Sequence, residues 1–352
     1  MNLNQLETPA LILDLDKFEH NMKTMSDLLK GTQMRLRPHY KSNKCPTIAH
    51  LQLDAGAKGI TCAKLSEAED LVHSGVEDIL IANQIVDTAK ITRLAVLAKC
   101  SRMTVCVDAL ENIEDLQQAA QLQNSMIHCL VEYDIGMNRC GVRTMEECEE
   151  LVCAIKCCPN LCFDGIQAYA GNLAHEENLE LRRHRSNEVE EQLRQLKTYL
   201  EQHGHTVKEI SGTSTGTVEL RCRDSVYTEV QAGSYIFMDM AYRAVGVGFE
   251  NALFVLATVI SRRPGVVITD VGLKSVSVDQ RPPAFAGYEQ YPVEMSEEHS
   301  AVYADIPVKC GDRLMMIPSH CCTTVNIHNW IYFVRNDTVV DRVPVTSRGK
   351  SR

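Results

Sequence analysis

The stretch Met34-Arg35-Leu36-Arg37-Pro38-His39-Tyr40-Lys41-Ser42-Asn43-Lys44 reads as a short strand, 35–38, that gives way to a polar turn. Cys45-Pro46-Thr47 then leads into Ile48-Ala49-His50-Leu51-Gln52-Leu53, whose apolar spacing is helical. A lysine at the carboxyl end of a strand, just before a helix, lies on the face where parallel α/β folds place their active sites. Arg37, Lys41 and Lys44 would also suit a solvated basic turn, so the rest of the chain has to decide.

Working outward, the strand-then-helix rhythm repeats. Strands are expected at 35–38, 59–63, 78–82, 103–107, 128–132, 163–168, 208–211 and 227–231, with helical segments between most of them, the longest at 187–202. Near-continuous apolar strands alternating with helices imply a parallel sheet covered on both faces. Eight strands are the number that closes a (β/α)8 TIM barrel. An open doubly wound sheet is the alternative, but no Gly-x-Gly-x-x-Gly follows an early strand. After Phe249 the texture changes to β-branched runs at 253–261, 265–270, 313–317, 330–334 and 339–343, a smaller all-β domain. The apolar run at 10–14 precedes the barrel count and is expected to add a strand to that domain. The expected division is therefore a barrel at 16–245 and a β-rich domain of 1–15 plus 246–352.

The 352 residues accommodate both parts. A net charge of -10 argues against nucleic acid or an anionic membrane as partner. No signal-peptide pattern or membrane-length apolar run is found, so a cytoplasmic location is expected. The fifteen cysteines are scattered, and Cys62, Cys106 and Cys129 sit in apolar strands as small reduced hydrophobes. Cys153, Cys157, Cys158 and Cys162 could suggest zinc. Because Cys153 and Cys157 lie four apart on a helix ending at Pro159, core packing is expected instead.

The strand ends carry the polar groups. Lys41 follows the first strand, and Arg139 lies in a glycine-containing loop after the fifth. Gln167 and Tyr169 end the sixth, with His175 just beyond. The last two strands run into Gly212-Thr213-Ser214-Thr215-Gly216-Thr217 and Ala232-Gly233-Ser234-Tyr235. Loops after strands seven and eight of a barrel often bind phosphate; small residues such as Gly216 and Gly233 let backbone N–H groups approach it, and the hydroxyls of Ser214, Thr215 and Ser234 add donors. A phosphate site opposite a strand-end lysine suggests pyridoxal phosphate, whose aldehyde condenses with an amine and whose ring then stores the electrons of an α-carbanion. Arg139 could contact the ring oxygen and Tyr169 the ring nitrogen or face. Tyr169 could equally be a core aromatic. In Pro318-Ser319-His320-Cys321-Cys322, an extended chain would put His320 and Cys322 on one face as ligands of a divalent ion, with zinc suited to a thiolate–imidazole pair.

Together these motifs resemble the fold-type III pyridoxal phosphate enzymes, and within them the metal-assisted D-threonine aldolase and D-serine dehydratase family. The resemblance rests on Arg37-Pro38-His39-Tyr40-Lys41, Gln167-Ala168-Tyr169, the stretch 212–217, Gly233-Ser234-Tyr235 and Pro318-Ser319-His320-Cys321-Cys322, and it spans nearly the whole chain. It implies that Lys41 is the Schiff-base lysine, although Ser42 replaces the family's threonine. It also implies that His320 and Cys322 hold zinc or manganese, that His175 handles the β-hydroxyl proton, and that the chain is a homodimer. The implied substrate is a D-β-hydroxy-α-amino acid. The aldolases of the family carry aspartate where this chain has Cys322, and the dehydratases carry cysteine. Retro-aldol cleavage to glycine and an aldehyde is the expected reaction, with dehydration to a 2-oxo acid and ammonia as the alternative. A racemase or a non-catalytic cofactor carrier is more remote.

Overall fold

The computed structural model describes residues 1–221 and 224–352. The chain divides into two compact units. One consists of Ser26–Lys41, Ile48–Gly233 and Lys350–Arg352, the other of Met1–Met25, Ser42–Thr47 and Ser234–Gly349. The first strand and helix in chain order are β1 (Ala10–Asp14) and α1 (Leu15–Leu29).

The first unit is the expected (β/α)8 arrangement. Its strands are β2 (Arg35–Leu36), β3 (Ile60–Cys62), β4 (Asp78–Ile81), β5 (Arg102–Val107), β6 (Ile127–Glu132), β7 (Leu161–Ala168), β8 (Glu209–Gly212) and β9 (Glu229–Val230). The helices between them are α2 (Pro46–Asp54), α3 (Leu65–His73), α4 (Thr88–Leu97), α5 (Leu110–Gln123), α6 (Met145–Cys157) and α7 (Leu179–Gln202). The strands pair in parallel in the order β2-β9-β8-β7-β6-β5-β4-β3. The ring is completed by a bridge between His39 and Thr61, where the Thr61 N–H donates to the Pro38 carbonyl at 2.9 Å. β5 and β6 are buried along almost their whole length, which is why their sequences run apolar without alternation.

β7 slips register against β6 between Cys129 and Leu130. Gly165 sits beside the slip with φ 156°, and a Cβ there would meet the Glu209 carbonyl oxygen at 1.9 Å. α7 starts eight residues before the expected 187. Its first two turns are rich in Glu and Arg, which hides the periodicity, and the Asn178 side chain caps it by accepting the Leu181 N–H.

A belt of paired charges crosses the amino-terminal ends of the strands. Arg37 donates to Glu229 at 2.8 Å and to Asp78 at 2.9 and 3.1 Å, and Lys58 bonds both Glu209 and Glu229. Arg102 and His128 pair with Asp164. Arg37, just past β2, pairs with Asp78 on β4, and Arg102 on β5 pairs with Asp164 on β7, so each bond ties strands two apart in the ring. The side chains of Arg37, Glu229 and Asp164 are 4%, 2% and 4% exposed. Burial opposes the charge on Arg37, yet its two carboxylates hold its pKa raised.

The second unit is an antiparallel sheet to which the N-terminal strand adds, as expected. β1 pairs antiparallel with β10 (Leu253–Arg263) and parallel with β16 (Trp330–Arg335). The remaining elements are α8 (Met240–Val245), β11 (Val266–Thr269), β12 (Ala284–Phe285), β13 (Val293–Met295), β14 (Ser300–Val302), β15 (Arg313–Ile317), α9 (Cys321–Val325) and β17 (Thr338–Pro344). The sheet runs β13-β14-β11-β10-β1-β16-β17, with β15 also on β10 and β12 on β15. Leu3, Leu6, Ile12, Phe254, Leu256, Ile317 and Val334 form a core cluster here. Each large side chain so buried contributes about 1.5–3 kcal/mol.

Two expectations are corrected. Cys153 and Cys157 are exposed, because the buried face of α6 is Cys148, Leu151, Val152 and Ile155. Spacing of four placed the two cysteines on a common face, but not the inner one. The chain at 320–322 is not extended throughout, since α9 begins at Cys321 with His320 as its N-cap residue. Among the described residues, no helix is long and apolar enough to cross a membrane.

Candidate active site

At the carboxyl ends of the barrel strands a cavity of about 220 Å³ is lined by Lys41, Arg139, Gln167 and Tyr169 together with His39, Asn83, Gln84, Glu132 and Gln231. Lys41 occupies a short 3-10 turn, Tyr40–Ser42. The turn is anchored by fully buried Tyr40, whose hydroxyl donates to Asp70 at 3.1 Å, and by the His39 N–H donating to the Ala232 carbonyl. The Lys41 Nζ stands 5.8 Å from the centre of the Tyr169 ring, and the Arg139 guanidinium lies at the same distance. One aromatic face thus stands within reach of two cations.

Arg139 is carried by a loop that Asp134 folds back by accepting the Gly136 and Asn138 N–H groups. Its guanidinium lies 3.9 Å from Glu132, which also accepts from Gln84 at 2.5 Å. Burial pushes the Glu132 carboxyl above its ordinary value, while the Gln84 hydrogen bond and the Arg139 charge pull it back. Gln167 accepts from Gln231 Nε2 at 2.7 Å, and the same amide donates to Ser211 at 2.8 Å, tying three adjacent chain segments under the cavity. Glu132, Gln84 and Gln231 escaped the sequence reading. Glu132 is the last residue of β6, and that position was its only signal.

The loop after β8 has the build of an anion cradle. Thr213 adopts φ 59°, and Gly212 and Gly216 have no room for a Cβ, which would meet the carbonyls of Ala168 and Ala174 at 2.0 Å in each case. Ser214 and Thr217 bond each other. The buried hydroxyls of Thr213 and Thr215 have no partner among the described residues. Two orphaned donors beside close-approach glycines suit a phosphate group. His175 follows the 3-10 turn Gly171–Leu173 and is half-buried, one residue past the Ala174 carbonyl that Gly216 touches. Gly233 ends the long segment of this unit.

Ser234, Tyr235, His320 and Cys322 belong to the second unit. Ser234 and Tyr235 form a buried 3-10 turn, Ser234–Ile236, and the Tyr235 ring meets Phe249 edge-on at 5.6 Å. The Ser234 hydroxyl lies 3.8 Å from the Cys322 sulfur. Cys322 lies near enough to His320 to act on its imidazole, although the backbone turns helical between them. Burial opposes charge on His320, but Cys322 and then Asp279 and Asp239 raise its pKa to about 9. An imidazole and a thiol are donors that suit a divalent ion such as zinc. Asp239 supports the pair from behind by accepting the Cys321 and Tyr242 N–H groups.

A second group with metal-ligand chemistry, His128, Cys162 and Asp164, comes together at the far end of the barrel. Arg102, His128 and Lys208 all approach that Asp164 carboxylate, so the group is part of the charged belt.

Comparison with known proteins agrees with this geometry. Residues 13–241 match the family model described as alanine racemase, N-terminal domain, and residues 252–334 match a putative serine dehydratase domain. The chain is 38% identical to a 3-hydroxy-D-aspartate aldolase of Paracoccus denitrificans (strain Pd 1222), covering 99% of this chain and 94% of the other. It is 38% identical to a D-threonine aldolase of Arthrobacter sp, covering 99% and 95%. A D-threo-3-hydroxyaspartate dehydratase of Delftia sp. (strain HT23) is 28% identical over 91% and 92%. The fold is similar to the crystal structure of a D-threonine aldolase from Filomicrobium marinum, with a TM-score of 0.97, 37% identity and coverage of 100% and 98%.

Proposed function

We propose a reaction for this chain from the premise that it belongs to the fold-type III, pyridoxal phosphate-dependent enzymes that include the D-threonine aldolases and D-serine dehydratases. The reaction is retro-aldol cleavage of a D-β-hydroxy-α-amino acid to glycine and an aldehyde. The observation that carries the reading is the convergence of Lys41, Arg139, Gln167 and Tyr169 on one strand-end cavity. The greater identity to aldolases than to a dehydratase favours carbon–carbon cleavage.

When bound, pyridoxal phosphate supplies an electron sink for charge left at Cα, and a divalent ion supplies a Lewis acid for the β-hydroxyl. The residues divide the remaining work. Lys41 offers the amine that holds the cofactor and later exchanges protons at Cα. Tyr169 and Arg139 orient the ring, with Gln167 beneath them. Ser214, Thr215 and Gly216 cradle the phosphate, with Gly233, Ser234 and Tyr235 contributing from the next loop. His175 accepts the β-hydroxyl proton. His320 and Cys322 hold the ion, and the thiolate favours zinc over manganese. In this reading 16–245 is the cofactor-binding domain, and 1–15 with 246–352 the domain that carries the metal. The enzyme works as a homodimer on a free D-amino acid in the cytoplasm. The thiols, unpaired among the described residues, support a reducing compartment.

Dehydration is the second reading, supported by the cysteine at 322. The test is product identification with the protein loaded with pyridoxal phosphate and Zn²⁺, given D-threonine, 3-hydroxy-D-aspartate and D-serine. Glycine and the matching aldehyde are expected, and a chelator should abolish their formation. Ammonia with a 2-oxo acid would establish the dehydratase instead.

A further inference from the structure

His320 is held from one side by a short strap. The Ser277 hydroxyl accepts the His320 N–H at 3.2 Å and donates to its carbonyl at 2.9 Å, and Ser319 accepts the N–H groups of Gln280 and Arg281. In the middle of the strap, Asp279 Oδ2 lies 2.9 Å from His320 Nδ1. Its other oxygen accepts from the Thr323 hydroxyl at 2.8 Å, so the carboxylate is fixed at both ends. The side-chain amide of Gln280 lies farther from the same ring nitrogen, at 3.4 Å.

An ionised carboxylate only accepts hydrogen bonds, so the nitrogen facing it at this distance carries the proton. That leaves Nε2 as the nitrogen able to bind a metal. We infer that Asp279 is a positioning residue: by holding the proton on Nδ1 it turns the Nε2 lone pair toward the ligand position shared with Cys322, and so sets how tightly this site binds zinc. The inference rests on the metal-holding role proposed above for His320 and Cys322. Carboxylates placed behind a ligating histidine raise its basicity as well as fixing its ring, and removing one commonly weakens metal binding 10–100-fold.

Asp279 is 45% exposed, so the fold tolerates its replacement. The measurement is Zn²⁺ affinity of the full-length protein by competition with a chromophoric chelator, without substrate. Asp279→Ala should weaken Zn²⁺ binding by roughly 10–100-fold. Asp279→Asn keeps an acceptor oxygen for Nδ1–H and should recover most of the loss, and Thr323→Val should produce a smaller loss than Asp279→Ala. In the Co²⁺-substituted protein the thiolate charge-transfer band should persist in Asp279→Ala, showing that Cys322 still binds. Unchanged Zn²⁺ affinity in Asp279→Ala, with His320→Ala and Cys322→Ala both impaired, would overturn the inference and leave the metal site standing. Wild-type binding indifferent to His320→Ala and Cys322→Ala would overturn both.

Discussion

Glu132 shows how much a single side chain in the cavity has to reconcile. Its carboxylate is 8% exposed, bonded to Gln84 and within reach of half-exposed Arg139. Burial raises its folded-state pKa above the unfolded value. For such a group the charged form is disfavoured in the fold, so Glu132 costs stability at neutral pH and ceases to do so below the ordinary carboxylate range. Glu132→Gln should therefore raise the melting temperature at pH 8, and the gain should shrink as the pH approaches 4. Under the proposed function the same substitution frees Arg139 and weakens pyridoxal phosphate binding, by roughly threefold for an ion pair this exposed. Fluorescence titration of the cofactor-free protein measures it. The sequence exposed Lys41, Arg139, Gln167 and Tyr169 because strand ends mark their places. It did not expose Asp279, which meets His320 from 41 residues away along the chain.

At the scale of the element, the loop after β8 joins two parts of the barrel by a backbone contact. Gly216 lies so close to Ala174 that a Cβ would stand 2.0 Å from its carbonyl oxygen. Gly216→Ala must push apart the anion cradle and the turn that leads to His175. Such overpacking costs about 1–3 kcal/mol, readable as a lower urea midpoint. Under the proposed function, cofactor affinity should also fall at least about tenfold, some 1.4 kcal/mol, in the same variant. Elements of five or more residues with a clear period were legible, and β15 falls on its expected residues. Those that escaped are short. β12, β13 and β14 have two or three residues each, and α9 spans five, less than the two turns a helical period needs to declare itself. α9 mattered most, since it replaced an extended strand at His320 and Cys322.

Across the molecule, eight apolar runs alternating with helices were enough to call for a barrel, because parallel strands buried on both faces have few other arrangements. The charges at its base were not readable, since each of them looks like a surface residue beside its own strand. Although burial works the other way, pairing holds the carboxyls of Glu229 and Asp164 below their ordinary values. Groups with depressed pKa values contribute stability that is complete above the unfolded value and is lost as pH falls through the folded one. The barrel's melting temperature should thus hold steady above about pH 5 and drop steeply below about pH 4. Arg37→Met leaves Glu229 to Lys58 alone and takes the bidentate partner from Asp78, and should cost up to roughly 3–5 kcal/mol at neutral pH by denaturant titration. Because it removes one of the two cations that depress Glu229, the variant should also lose part of its acid sensitivity.

With an interior filled by side chains, as (β/α)8 barrels have, and with Arg37, Glu229 and Asp164 buried at that base, the barrel is a cul-de-sac. Traffic through it runs both ways along one lane. Under the proposed function, a cleavage that turns one incoming molecule into two outgoing ones then has a queue, and the fragment still waiting to leave bars the next arrival. Each product should accordingly slow turnover by competing with substrate for entry, and the slower of the two departures sets the pace.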